Sequence, residues 1–147
     1  MEEEIITKIK EESKSLFGKS KDPSHGFDHA QRVYNLALKI YEKEEGDKLV
    51  IGTSALLHDL HQMLYQEKGE FFSGKDSLPF AEEILKKINF PEDKIENVLH
   101  CIETHNQYPF TEEENNAKSK EALIIQDADN LDALGAIGIG KCFVFGV

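Results

Sequence analysis

Apolar residues recur along most of this chain at the spacing of a helix. Ile5, Ile9 and Leu16 mark a first amphipathic segment. His29, Val33, Leu36 and Ile40 follow at i, i+4, i+7 and i+11 and predict a second helix ending near Gly46. A third is expected from about Asp47 to Met63, and the polar stretch from Gln66 to Asp76 reads as a loop. Pro79 in a first turn opens a fourth helix with Phe80, Ile84 and Ile88 on one side. Pro91 starts a fifth, in which Ile95, Val98, Ile102 and His105 share a face. After a loop from Tyr108 to Asn116, a sixth helix spans roughly Lys118 to Leu134, with Leu123, Ile124, Asp127, Leu131 and Leu134 on one stripe. No strand alternation and no repeat is visible, so the fold class is all-α, a bundle of about six helices in a single domain over residues 1–147.

The end of the chain breaks the pattern. Gly135-Ala-Ile-Gly-Ile-Gly-Lys-Cys-Phe-Val-Phe-Gly-Val147 stops on apolar residues with no polar helix after them. That predicts a C-terminally truncated or cleaved chain, or a segment completed by another subunit in a homo-oligomer.

Composition narrows the function classes. Among 147 residues, 39% are hydrophobic and 31% charged, as in ordinary globular domains. No apolar run reaches the ~20 residues that span a bilayer, so no membrane partner is expected. The N-terminus is acidic where a secretory signal is basic, and Cys101 and Cys142 lack metal-finger spacing. Free thiols and a cytoplasmic location are expected. A net charge of −11 disfavours nucleic acid as a partner. It also requires local positive charge wherever an anionic substrate binds.

The candidate chemistry lies in polar residues on apolar stripes. His58 and Asp59 end the run Val50-Ile-Gly-Thr-Ser-Ala-Leu-Leu-His-Asp-Leu60, while His29 and Asp127 sit among aliphatics in the second and sixth helices. Buried imidazoles and carboxylates need compensation for lost hydration. Taken singly, each fits a hydrogen-bonded core histidine, a cap or an ion-pair partner. Together they suggest a shared divalent cation, and two imidazoles with two carboxylates suit Mn²⁺, Fe²⁺, Co²⁺, Ni²⁺, Zn²⁺ or Mg²⁺. Such an ion lowers the pKa of water and polarises a phosphoryl oxygen. Adjacent helical residues such as His58 and Asp59 are ~100° apart around the axis, so both reach one ion only in a groove.

Three blocks carry a family likeness: Ser24-His-Gly-Phe-Asp-His-Ala-Gln-Arg-Val33, Ala55-Leu-Leu-His-Asp-Leu60 and Ile124-Ile-Gln-Asp-Ala-Asp-Asn-Leu-Asp-Ala-Leu-Gly-Ala-Ile-Gly-Ile139. In this order, across roughly residues 24–142, the chain resembles the HD-domain superfamily of metal-dependent phosphohydrolases. The last block is most similar to a subgroup that includes nucleoside triphosphate pyrophosphohydrolases. The resemblance implies a helical bundle with His29, His58, Asp59 and Asp127 as metal ligands. It further implies hydrolysis of a small phosphorylated substrate, a nucleotide in the first instance.

The remaining groups carry two readings each. His105 either contacts substrate phosphate or moves a proton, or is a core histidine; the resemblance implies that in relatives with two metals a histidine in this region is a ligand. The resemblance implies a further histidine where Ser77-Leu-Pro-Phe80 has none, so one metal is expected. His61, i+3 from His58, either serves as general acid/base or supports His58. Arg32 and Lys141 are expected to neutralise phosphate and His25 to reach the cavity mouth, with exposed surface positions as the competing reading. His100 is expected in solvent. Asp129 and Asp132 turn off the Asp127 stripe, where Asp132 orients a ligand or caps a turn. Two other functions stay open: a di-iron oxygenase on the same scaffold, and a non-catalytic regulatory module that keeps the metal for structure.

Overall fold

The computed structural model describes residues 2–17, 26–62, 75–106 and 116–134. Six helices contain most of them: α1 (Glu2–Phe17), α2 (Phe27–Glu44), α3 (Lys48–Leu57), α4 (Leu78–Lys87), α5 (Glu92–Thr104) and α6 (Lys120–Leu134). No strand occurs among the described residues. The fold is all-α, as the helical spacing predicts, and no described helix is long and apolar enough to cross a membrane.

α3 is the central rod. Every residue from Leu49 to Leu57 is buried, as expected for a helix apolar all round. α2 and α6 pack on it and on each other, with α1 and α5 against further sides. Gly52 lets the bundle close, because a Cβ there would come within 3.0 Å of the Tyr34 ring and 3.1 Å of Ile6 Cδ1. Ser13 of α1 donates to the Leu56 carbonyl at 2.9 Å. Cys101 is a free, buried thiol whose pKa burial pushes up to about 12, so it packs as a small apolar group.

The start of α3 is fixed by two carboxylates. Asp47 caps it, accepting from the Leu49 and Val50 N–H groups at 3.1 and 3.2 Å. Glu121, in the first turn of α6, accepts from the Asp47 N–H at 2.8 Å and from Asn97 Nδ2 of α5 at 2.9 Å. Gly46 makes room with φ +111°, since a Cβ there would lie 2.7 Å from Glu121 Oε2.

Two expectations are corrected. The third helix does not run on to Met63: α3 ends at Leu57, His58 and Asp59 form a turn, and residues 60–62 resume a helical turn. A Gln62 N–H to Asp59 carbonyl bond at 2.9 Å tightens this break to the i, i+3 pattern. The sixth helix is rotated from its expected setting. Ala122, Ile124, Ile125, Gln126, Ala128 and Asp132 are buried, whereas Leu123, Leu131 and Leu134 are 44, 49 and 77% exposed.

Candidate metal centre

His29, on the buried stripe of α2 with Val33 and Ala37, His58, at the C-cap of α3, and Asp59 converge in the bundle interior, all at most 5% exposed. Asp127 does not join them. It is exposed on α6, in a groove beside Ile40, Glu44 and Lys120, where burial and Glu44 raise its carboxyl pKa. Asp129 stands in the expected place. The physical reason is the rotation of α6, since Asp129 and Asp132 share its inner stripe with Ala122 and Ile125. Sequence reasoning missed Asp129. The spacing of Ala122, Ile125, Asp129 and Asp132 at i, i+3, i+7 and i+10 is the signal that could have found it.

The distances fit a coordination sphere. His29 Nε2 lies 3.1 Å from His58 Nε2, 3.4 Å from Asp59 Oδ2 and 3.2 Å from Asp129 Oδ1. His58 Nε2 lies 3.6 Å from Asp59 Oδ2 and 3.5 Å from Asp129 Oδ1. Bonds of ~2.1 Å put neighbouring donors ~3.0 Å apart around an octahedral ion and ~3.4 Å apart around a tetrahedral one.

The ring orientations agree. His29 Nδ1 donates to Asp132 Oδ2 at 2.7 Å, and His58 Nδ1 donates to its own helix at the Ala55 carbonyl, 2.7 Å away. With Nδ1 carrying a proton, each ring turns its Nε2 to the common centre. Two Nε2 atoms 3.1 Å apart call for a proton or a metal cation between them. The electrostatics show the same demand. Burial alone would lower the His58 pKa, but Asp59 and then Asp129 outweigh it and raise it to about 9. Burial raises the pKa of Asp129, but hydrogen bonds to His29 and His58 hold it well below the usual carboxylate range. A proton there fills the place of a cation, and the donor set fits a divalent metal.

Arg32 is committed to Asp132, with Nε 2.8 Å from Oδ1 and Nη2 3.4 Å from Oδ2. Burial raises the Asp132 pKa, but Arg32 and His29 lower it further. Asp132 is therefore a brace that grips His29 and is itself gripped.

His105, the C-cap of α5, is buried beside Asp59. Its Nδ1 donates to the Ile102 carbonyl at 2.6 Å, and its Nε2 lies 3.5 Å from Asp59 Oδ1. His61 is also buried, its ring centroid 5.4 Å from that of His105, with the Gln62 amide nitrogen 3.3 Å from its Nε2. His100, expected in solvent, is half-buried and accepts from the Lys118 N–H at 2.9 Å. His25, Lys141, Cys142 and the apolar stretch 135–147 lie outside the described residues.

Comparison with known proteins bears on the family and the fold. A family model described as HD domain matches residues 26–134. The uncharacterized protein YpgQ of Bacillus subtilis (strain 168) is 32% identical over 124 residues, covering 82% of this chain and 57% of its own length. A structure described as a predicted HD superfamily hydrolase from an uncultured Thermotogales bacterium superposes with a TM-score of 0.74 at 27% identity, over 97% of this chain and 74% of that one. The structure of Bacillus subtilis YpgQ in complex with ADP gives 0.69 at 26% identity, over 98% and 66%.

Proposed function

Because this chain belongs to the HD domain family, we propose that it is a metal-dependent phosphohydrolase acting on a small phosphorylated substrate, a nucleotide in the first instance. One observation carries the reading: two imidazole Nε2 atoms stand 3.1 Å apart in the bundle interior, each within 3.2–3.6 Å of one oxygen of Asp59 and one of Asp129. His29, His58, Asp59 and Asp129 would hold the ion, with Asp129 replacing the Asp127 expected from the sequence. When bound, a divalent cation there supplies water activation and polarisation of a phosphoryl oxygen. An octahedral ion with these four ligands keeps positions for substrate and solvent.

The chain's own residues set the stage. Asp132 keeps the Nδ1 proton of His29 in place, and Arg32 keeps Asp132 ionised. Arg32 has five N–H donors and a side chain still 31% exposed, so it can also meet a phosphate oxygen from the solvent side. Lys141 and His25 are the further substrate contacts proposed from the sequence. The ADP complex of YpgQ, a relative in sequence and fold, supports a nucleotide as substrate class.

The test is a panel of nucleoside mono-, di- and triphosphates with Mn²⁺, Co²⁺ or Mg²⁺, reading phosphate and pyrophosphate release from wild type and Asp59→Asn. Metal-dependent release that Asp59→Asn abolishes is the expected outcome. Equal activity of the two proteins, or none with any metal, overturns the reading.

A further inference from the structure

The setting of α6 about its own axis decides which of its carboxylates reaches the centre. Apolar burial fixes that setting only loosely, since Ala122, Ile125 and Ala128 are buried but Leu123, Leu131 and Leu134 are exposed. Side-chain hydrogen bonds supply the rest. At the start of the helix, Glu121 accepts from Asn97 Nδ2 of α5 and from the Asp47 N–H. At its end, Asp132 grips His29 and Arg32. Between the two, Gln126 Nε2 donates to the Thr104 carbonyl of α5 at 2.8 Å. Gln126 is 5% exposed and stands three residues before Asp129, one turn away on the same face. Glu121 is ~12 Å from Asp129 along the axis at 1.5 Å per residue.

The acceptor is as firmly placed as the donor. Thr104 is the last residue of α5, and a carbonyl at that position finds no partner within its own helix. Thr104 is buried, and its Oγ1 donates to the His100 carbonyl at 2.9 Å. A buried carbonyl left without a donor pays its full desolvation cost, so the structure favours the one α6 setting that brings Gln126 to it.

We propose that Gln126 is the positioning residue for Asp129. By locking the middle of α6 to the end of α5, it holds the Asp129 carboxylate against His29 and His58. The proposal rests on the metal-dependent reading above and adds how the ligand from α6 is aimed.

The test is Mn²⁺ binding to the metal-stripped full chain, read by calorimetry and by the electron paramagnetic resonance of the bound ion. Gln126→Met keeps the length of the side chain and removes the donor. It is expected to weaken binding ~10-fold, the lower end of the range for groups that orient a metal ligand, and to alter the Mn²⁺ spectrum. Asn97→Ala breaks another bond between α5 and α6, and is expected to leave both readouts unchanged. In an Asp129→Ala background, Gln126→Met is expected to add less than a ~2-fold loss, because a residue acting through Asp129 has nothing left to aim. Equal losses in the two backgrounds, or from Asn97→Ala and Gln126→Met, assign Gln126 to packing and overturn the proposal. Unchanged affinity in Gln126→Met also overturns it and leaves the metal-dependent reading standing, whereas no uptake by wild type overturns both. Should Gln126→Met fail to fold, Gln126→Asn, whose shorter amide falls short of Thr104, takes its place in the same cycle.

Discussion

His58 and His29 face each other across 3.1 Å, yet opposite means hold them. His58 is fastened by a carbonyl of its own helix three residues back, and His105 in α5 is fastened the same way. No side-chain substitution removes that partner. His29 instead depends on Asp132, 103 residues away on another helix, and Asp132 depends in turn on Arg32. One half of the site is set by local backbone geometry as soon as its helix forms. The other exists only when α2 and α6 are docked in register, so it is the half that mutation can loosen while the rest stays intact.

The largest effect belongs to the change that strikes both halves together. Asp129→Ala removes a carboxylate near both Nε2 atoms and is expected to weaken Mn²⁺ binding beyond the ~10–100-fold typical of outer partners, as read by calorimetry. Asp132→Asn strikes the remote half alone. A loss within ~10–100-fold is expected, with the fold kept by circular dichroism; unchanged affinity would break the contrast between the two histidines. Acidity probes the local half. The His58 pKa is raised from 6.5 to about 9, so in metal-free protein its protonation stabilises the fold fully below pH 6.5, and this is lost as pH rises through about 9. Mn²⁺ replaces that proton, so the rise in Tm on adding it should be larger at pH 9 than at pH 6.5. Asp127→Ala should change least, with unaltered metal uptake and stability within about 0.5 kcal/mol.

The helices were legible because apolar spacing is set by the core. His29, His58 and Asp59 were legible because polar groups interrupt otherwise aliphatic stripes. α6 misled for the same reason. Its inner face carries Gln126, Asp129 and Asp132, which serve Thr104 and the two histidines, while three leucines stand outside. A helix that buries polar groups among Ala122, Ile125 and Ala128 and leaves leucines outside offers no clean apolar stripe, so the leucine spacing points to Asp127 instead of Asp129. The turn at His58–Asp59 was illegible for another reason. Residues 55–62 have no Gly or Pro to mark the break, and it is held by the His58 Nδ1 to Ala55 carbonyl and Gln62 N–H to Asp59 carbonyl bonds, which no residue pattern announces.

Two helices stop at this centre, α3 at His58 and α5 at His105. The carbonyl end of a helix carries about half a negative charge, and here two such ends join the carboxylates of Asp59 and Asp129. These charges sit within a chain already anionic as a whole. The consequence is a centre that draws positive charge of any kind, and the raised pKa of His58 is the mark a proton leaves when it answers that pull.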